Sequence, residues 1–576
     1  MTTRPLPAST QDGTHPRPQL LRDTWTSLDG TWDFAFGDDP SQQPSTVDFD
    51  RTIVVPYPPE SALSGVEDKG FHLVAWYRRH LGADELAAAG FRSDGGRVLL
   101  HFAAVDREAE VWLNGLHLGR HEGGQTPFSF DITDALVEGD ANELVVRAVD
   151  DPHDVAVPRG KQDWREEPHV IWYHRTTGIW QPVWLEAVPA ERIVDLAWDS
   201  DVPTGRVDLE LSLDGLVLAE SRVRLLDVTT TISLHLAHQR NGQQYEELLW
   251  SPEHPRLLDA AITIDHGENH CGDPVDRVAS YLGLRSVATA GRRFLLNDRP
   301  MYLRSVLAQN YWPESHLAAP SAAALRREVE LIKELGFNTA RVHQKAEDPR
   351  FLYWADRLGL MIWGETAGAY EFSPRAVGAL VSEWTAIVER DRSHPSIVAW
   401  VPLNESWGVQ HIVHDARQQA FSRGISDLTR GLDGSRPVIS NDGWEHTDSD
   451  IWTIHDYEAD PEVLTSRYGS IEAIHAMIDD VGPAGRRISV GQVDAGEPVM
   501  LTEFGGVSYV DDAVDGAWGY SSAADPADFA ARITGIIGAV SSSPILSGFC
   551  YTQLTDTGQE TNGLLRADRS PKVPVE

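Results

Sequence analysis

Two glutamates stand where chemistry would be done. Glu405 lies in Val401-Pro-Leu-Asn404-Glu405-Ser406-Trp407-Gly408, and Glu503 lies in Leu501-Thr-Glu503-Phe-Gly-Gly506. Each follows a short apolar run with the texture of a buried strand, 397–401 and 498–501. A carboxylate just past the C-terminal end of a barrel strand sits on the rim where α/β barrels hold their reactive groups. Two such carboxylates facing each other are the minimum apparatus for breaking a glycosidic bond. One protonates the leaving oxygen, and the other attacks or stabilises the anomeric carbon.

The elements that would have to position this pair can be read from the rhythm of the chain. Up to residue 188 it reads as short strands broken by turns, at 28–36, 98–102 and 110–113, with Asn114-Gly115 as a hairpin turn after the third. Further strands follow at 142–149 and 178–186, which is jelly-roll or sandwich spacing. Alternation at 207–213 and 229–236 continues through 189–288, about the length of one immunoglobulin-like β-sandwich. From 289 to 576 the pattern becomes strand–helix–strand. Ser321 caps a helix whose Leu325, Val329 and Ile332 share one face, with Gly336 as its stop. Asp348-Pro349 opens another helix, and Gly359 closes it.

Eight candidate barrel strands follow in order, 301–306, 338–342, 360–364, 397–403, 437–441, 451–455, 498–502 and 545–554, the number a (β/α)8 TIM barrel requires. The two glutamates fall on the fourth and seventh. The twenty residues after Asp556 show no amphipathic helix to cover the last strand, so the closing helix is absent or the chain was trimmed there.

Composition excludes several classes. With 49 basic and 87 acidic residues the net charge is −38, which disfavours nucleic acid and anionic membranes as partners. Only Cys271 and Cys550 occur, so no disulfide framework is implied and a reducing interior is allowed. No N-terminal stretch has signal-peptide character and no run is long enough to span a bilayer; cytoplasmic is the simplest expectation. Nineteen tryptophans cluster near polar loops, where aromatic faces can pack on sugar rings as well as on a core. The expected partner is a small carbohydrate or glycoside, and a homo-oligomer is left open.

The motifs resemble glycoside hydrolase family 2. Asn114 to Gly124 with Thr126-Pro-Phe-Ser-Phe-Asp131 looks like the family's sugar-binding domain, and Thr177-Gly-Ile-Trp180-Gln-Pro-Val183 matches its closing strand. Trp250-Ser-Pro-Glu-His-Pro255 and Asp276 to Arg285 look like its central sandwich, and Asn404-Glu405-Ser406 and Glu503 like its barrel motifs. The resemblance covers nearly the whole chain. It implies a retaining β-glycosidase with Glu405 as acid/base and Glu503 as nucleophile, needing no cofactor. Arg341 and Tyr457 match positions that keep the nucleophile ionised, and Asn404 matches the amide that binds the sugar 2-hydroxyl.

Apolar surroundings and the charge of Glu503 are expected to keep Glu405 protonated near neutral pH. Further candidates for substrate contact are His343, His455, Tyr551, Trp363, Gln553, Trp407, Glu560 and Asn562 on the barrel. Asp163, Trp164 and Arg175 belong to a first-domain loop that could reach over it.

Departures from relatives bear on the substrate. Family β-glucuronidases carry an Asn-x-Lys element after the eighth strand, where this chain has Glu560-Thr-Asn562-Gly563, an acid in place of the amide. Large β-galactosidases bind magnesium after the third strand, but Gly364-Glu365-Thr-Ala-Gly-Ala-Tyr370-Glu371 does not match those ligands, so no metal is expected. Leu307-Ala-Gln-Asn-Tyr-Trp-Pro-Glu314 replaces their histidine-rich segment. The expectation is an exo-acting retaining β-glycosidase for a neutral sugar, β-galactoside foremost, in pyranose or furanose form. The alternative is a β-glucuronidase or related uronidase, for which Arg175 or Lys161 would have to supply the missing cation. A non-catalytic carbohydrate-binding homologue would be expected to lack one carboxylate, and both are present.

Overall fold

The computed structural model describes residues 7–92, 96–137, 142–200, 206–207, 210–213, 216–219, 231–236, 245–264, 275–511 and 516–574. The N-terminal region is two antiparallel sheets face to face. One has six strands in the order Arg51–Val55, Gly30–Gly37, Val74–Leu81, Asn142–Val149, Glu108–Leu113 and Leu116–Glu122. The other has four, Thr26–Ser27, Val183–Pro189, Gly96–Phe102 and Phe128–Asp131. Alternation drives the packing: Leu144, Val146 and Ala148 enter the shared core with Phe34, Tyr77, Leu100 and Val111. Val145, between them, turns to the opposite face and joins Trp76 and Trp112. The expected hairpin forms as read, with Asn114 and Gly115 at φ 52° and 77° and Leu113 paired to Leu116.

The second region is also β, with Leu216–Ala219, Glu210–Leu213, Leu258–Ile264 and Asp276–Leu282 in one antiparallel sheet. Of the strands expected here, residues 208–209 and 229–230 lie outside the described residues. Buried Arg22 joins the first two regions, with Glu186 at 3.1 Å and Asp276 at 2.8 Å. Arg285 joins the second region to the barrel, donating to the carbonyls of Pro395 and Ile397 at 3.1 and 3.0 Å.

The barrel supplies seven strands of one parallel sheet. In chain order they are the first, Leu303–Ala308, the second, Thr339–Val342, the third, Met361–Glu365, and the fourth, Ile397–Val401. The sixth is Trp452–Asp456, the seventh Val499–Gly505 and the eighth Gly548–Thr552. Their spatial order is fourth, third, second, first, eighth, seventh, sixth. The expected fifth strand is a correction. It makes only isolated parallel bridges to its neighbour, Val438 to Trp400 and Asp442 to Asn404. On its other edge the backbone donors go to side chains: Val438 N to Asp450 Oδ2 at 2.7 Å and Ser440 N to Ser449 Oγ at 2.8 Å. A ladder to the sixth strand therefore has no donors left to use there.

Barrel helices start where their caps predict. Ser321 accepts from Ala324 N ahead of Ala322–Glu334, whose Leu325, Val329 and Ile332 are buried. Asp348 accepts from Arg350 N ahead of Pro349–Leu358, and Gly359 ends that helix at φ 77°. Among the described residues no helix follows the eighth strand. Instead Lys572 donates to Asp556 and to the Thr561 carbonyl, each at 2.7 Å. Arg569 pairs with Glu328 of the first barrel helix at 3.1 Å.

The contact between the N-terminal region and the barrel includes Glu383, on helix Pro374–Asp391, accepting from Gln125 N at 3.3 Å. Burial pushes this carboxyl up to about 7. A folded-state value above the ordinary one means that Glu383 favours folding at low pH, and that this contribution is lost as pH rises through about 7. Glu383→Gln is therefore expected to gain stability relative to the parent at pH 8.5, on the order of 2 kcal/mol, and to gain little at pH 4.5. Thermal melts of both proteins at the two pH values check this, and an equal offset at both would contradict it.

Candidate active site

The site is assembled around one guanidinium. Arg341 projects from the second strand and is 1% exposed. Its Nη1 donates to Glu503 Oε1 at 3.0 Å and lies 2.7 Å from Asp442 Oδ2. Its Nη2 donates to Asn404 Oδ1 at 2.6 Å, and its Nε donates to Glu365 at the end of the third strand. A buried cation needs paired, hydrogen-bonded anions, and these partners come from the ends of four different barrel strands or strand-like segments. With Asn404 Oδ1 occupied in this way, its amide Nδ2 makes no hydrogen bond to the described residues.

Glu503 also accepts from Tyr457 Oη, at 2.5 Å, just past the sixth strand. Tyr457 in turn stacks on Tyr520, centroids 3.3 Å apart. Glu405 stands on a turn where both it and Ser406 have left-handed backbone, φ 51° and 58°. The turn is held by Glu405 N donating to the Asp442 carbonyl at 3.0 Å and by Ser406 N donating to Asn441 Oδ1 at 2.9 Å. The carboxylates converge: single oxygens of Glu405 and Glu503 and one ring nitrogen of His455 lie within 4.8 Å of one another.

His455 stands between them, Nδ1 at 2.7 Å from Glu405 Oε1 and 3.6 Å from Glu503 Oε2, with Nε2 at 2.8 Å from Asp442. Burial alone would lower the ring's proton affinity, but the charge of Glu503 and the bonds to Asp442 and Glu405 raise it to about 10. Glu405 departs from expectation. Burial acts upward, yet the hydrogen bond and charge of His455, aided by Lys161 and Arg341, bring its carboxyl below the ordinary value. Apolar surroundings are outweighed by a neighbouring cation. His343 is driven well below its ordinary value, by burial first and then by Arg341 and Lys161. Its Nδ1 lies 3.1 Å from Glu365 Oε2.

The first-domain loop does reach the barrel rim. Arg159 N and Gly160 N both donate to the Gly368 carbonyl at 3.1 Å, and Tyr370 Oη donates to the Gly160 carbonyl at 2.6 Å. Gly160, at φ 58°, comes so close that a Cβ there would lie 2.5 Å from the Gln344 carbonyl. Trp164 packs on Trp172 at 4.8 Å, and Trp172 meets Trp407 at 6.0 Å. Tyr370 meets Trp407 at 5.0 Å, so loop and barrel share one partly exposed aromatic cluster next to Glu405 in sequence. Tyr173 Oη donates to Glu560 Oε2 at 2.6 Å. Behind that contact runs a chain from Gln309 Nε2 to Gln553 Oε1 at 3.0 Å, from Gln553 Nε2 to Asn562 Oδ1 at 2.8 Å, and from Asn562 Nδ2 to Glu560 Oε1 at 3.0 Å.

Several expected contacts are corrected. Tyr551, Gln553 and Asn562 have 0% exposed surface and Trp363 has 2%, so each is packed into the barrel rather than standing open on its rim. Tyr551 and Trp363 are barrel core, Tyr551 filling the space left by Gly505 at φ 88°. Gln553 and Asn562 act through Glu560. Asp163 is spent inside its own loop, 2.6 Å from His169 Nδ1 and accepting from Arg165 N at 3.0 Å. Arg175 donates to the backbone carbonyls of Lys69 and Gly70 and faces Glu60 at 3.6 Å, which leaves it nothing to offer the barrel. Glu365 and Asp442 were missed as site residues. Both end or follow a strand, the same positional signal that marked Glu405 and Glu503.

With this geometry in place, comparison with known proteins is informative. A model of the sugar-binding domain of glycosyl hydrolases family 2 matches residues 25–189, and one of that family's TIM barrel domain matches residues 287–476. The chain belongs to this family. Its relatives include a β-galactosidase of Thermoanaerobacter pseudethanolicus, 28% identical over 65% of this chain and 49% of that protein. They also include the β-glucuronidase of Canis lupus familiaris, 26% identical over 64% of this chain and 60% of that protein. The matches thus span about half to three-fifths of these relatives. Among solved structures, the β-D-glucuronidase of Dictyoglomus thermophilum has a TM-score of 0.74 at 17% identity, covering 97% of this chain and 96% of that one. The Ruminococcus gnavus β-glucuronidase with D-glucuronic acid has a TM-score of 0.75 at 18% identity, covering 96% and 97%. At such identities these two speak for the fold. Among the described residues, no helix is long and apolar enough to cross a membrane.

Glu405, His455 and Glu503 are of metal-ligand type and close enough to share an ion. Both ring nitrogens of His455 lie within hydrogen-bond distance of carboxylates, so an ion would have to displace one of those contacts. Exhaustive chelation is expected to leave turnover of an aryl glycoside within a factor of about two, because loss of a Lewis acid would cost several kcal/mol. A large loss restored by added metal would overturn this.

Proposed function

We propose that the chain is an exo-acting retaining β-glycosidase. The reading rests on the spacing of Glu405 and Glu503, whose nearest oxygens lie within 4.8 Å. Retaining enzymes hold their carboxyls about 5–5.5 Å apart, whereas inverting enzymes leave room for water at about 6.5–9.5 Å. In the first step an oxygen of Glu503 bonds to the anomeric carbon, the bond to the aglycone oxygen breaks, and Glu405 passes its proton to that oxygen. In the second, Glu405 takes a proton from water, the water oxygen bonds to the anomeric carbon, and the ester to Glu503 breaks. Arg341 and Tyr457 hold the nucleophile, and the free amide hydrogens of Asn404 suit a sugar 2-hydroxyl, where hydrogen bonds strengthen in the transition state. The aromatic cluster of Trp164, Trp172, Tyr370 and Trp407 suits the aglycone side.

Glu560 supports a neutral sugar. Burial raises its carboxyl, against Lys161 and the hydrogen bonds from Tyr173 and Asn562, and the charge of Glu503 acts on it as well. A uronate here would meet a second buried carboxyl, which offers it no cation. A second reading, a uronide, is supported about as well by the β-glucuronidase relatives, and one observation of the site favours it: the Lys161 ammonium is among the charges acting on Glu405, Glu560 and His343. That cation is shared with Glu560, so the neutral sugar, a β-galactoside in pyranose or furanose form, is preferred.

Two outcomes are expected. Glu503→Gln should abolish turnover, and Glu405→Ala should be rescued by azide on an activated aryl glycoside, giving a β-configured glycosyl azide. An α-configured azide, or an inverted first product from the parent enzyme, would refute the retaining assignment. Secondly, kcat/KM for an aryl β-galactoside, pyranose or furanose, should exceed that for the matching β-glucuronide by roughly a thousandfold, the penalty for an unpaired charge in a desolvated pocket. A preference for the glucuronide that vanishes in Lys161→Ala would establish the second reading instead.

A further inference from the structure

We propose that His455 is a positioning residue that stays an imidazolium throughout turnover and occupies one oxygen of Glu405, so that the proton Glu405 transfers is carried on the other oxygen. This rests on the reading of Glu405 as acid/base, and the geometry makes it specific. The ring has a carboxylate oxygen at each nitrogen, Asp442 Oδ2 at 2.8 Å from Nε2 and Glu405 Oε1 at 2.7 Å from Nδ1. A neutral imidazole has one N–H and could donate to only one of them, whereas the charged ring donates to both. Asp442 is fully buried and itself paired with Arg341 at 2.7 Å, which keeps it an anion.

The pocket for the ring is built. Gly443, at φ 97°, lies flat against it, and a Cβ there would fall 2.6 Å from Nδ1. Trp444 meets it edge to face at 5.5 Å.

Every neighbouring element bears on the charge. Asp442 comes from the fifth segment, Glu405 from beyond the fourth strand, and Glu503 from the seventh, at 3.6 Å from Nδ1. Arg341 on the second strand and Lys161 from the first-domain loop add to the positive field at Glu405, while His343 and His446, both lowered by burial and by the charge of His455, add little. Three carboxylates outweigh them. When Glu503 becomes an ester its charge is lost, but Asp442 and Glu405 remain as acceptors at both nitrogens, so the ring keeps both protons.

Two consequences follow for Glu405. Its Oε1 accepts the imidazolium N–H, and a proton on that same oxygen would crowd a second hydrogen against the first, which leaves Oε2 as the proton carrier toward the leaving group. It is also a stronger acid than an isolated buried carboxyl, so the alkaline limb of the pH profile falls at lower pH than it would without the ring.

The test is His455→Asn in the full chain, assayed as kcat/KM against pH with an alkyl or other poor leaving group. The alkaline limb is expected to rise by at least one pH unit. The loss in kcat is expected to be larger for the poor leaving group than for a nitrophenolate, because only the former depends on a well-placed proton. A limb that stays in place or moves to lower pH would overturn the proposal. A second readout does not depend on activity or on folding of the variant: nitrogen-15 spectra of the parent protein labelled at histidine. At pH 8.5 an imidazolium ring with both N–H protons is expected, and it should vanish in folded His455→Asn. Absence of any charged ring at that pH would refute the proposal. If the parent turns over no glycoside at all, the catalytic reading fails, and the nitrogen spectra still decide the state of His455.

Discussion

The structure depends on burying the Arg341 guanidinium at the centre of the barrel mouth. A cation in such a place is tolerated only when its donors are met by anions or dipoles of good geometry. Here Glu365, Asn404, Asp442 and Glu503 meet them. Those four side chains leave the barrel from the third, fourth, fifth and seventh positions, so the charge requirement of one residue fixes the relative placement of the rim. The three acids exceed the one cation by two, and His455 stands against that excess, bonding Asp442 on one side and Glu405 on the other. The carboxylates of Glu405 and Glu503 are thus not independent groups placed near each other. They are terminal members of one hydrogen-bonded charge network.

A different physics governs the far side of the pocket. The N-terminal region contributes a loop whose contacts with the barrel are mainly backbone hydrogen bonds and ring edges, as at Gly160 with Gly368 and Trp172 with Trp407. Close backbone approach is possible there because position 160 has no side chain. Tyr173 then reaches Glu560, and the amides behind it keep that acid in place. The pocket therefore has a charged floor from the barrel and a wall that is partly borrowed.

What could be read from the sequence followed from local rules. Caps at Ser321 and Asp348 and the Asn114-Gly115 turn are decided by a few adjacent residues, and they form as read. Glu405 and Glu503 are legible because a strand end and a motif coincide. The misreadings involve partners that pattern does not weigh, some near in the chain and some far. The fifth strand loses its ladder to Asp450 and Ser449 side chains that sequence pattern does not weigh. Asp163 and Arg175 looked available because their loop is polar, yet each is taken up by its own surroundings. Tyr551 and Trp363 show how an aromatic beside a site can belong wholly to the core. The downward shift of Glu405 needed the position of His455, which lies fifty residues away in the chain but 2.7 Å away in space.

Because the wall and the floor come from different parts of the chain, they answer to different constraints. A substitution among the barrel carboxylates disturbs the charge of every other member of the network. A change at Trp164 or Trp172 reshapes the aromatic wall while leaving that balance nearly untouched, whereas Lys161, whose charge acts on Glu405 and Glu560, belongs to both. On the proposed reading, substrate range would drift through the N-terminal loop, one residue at a time, with the charged floor of the barrel carried along intact.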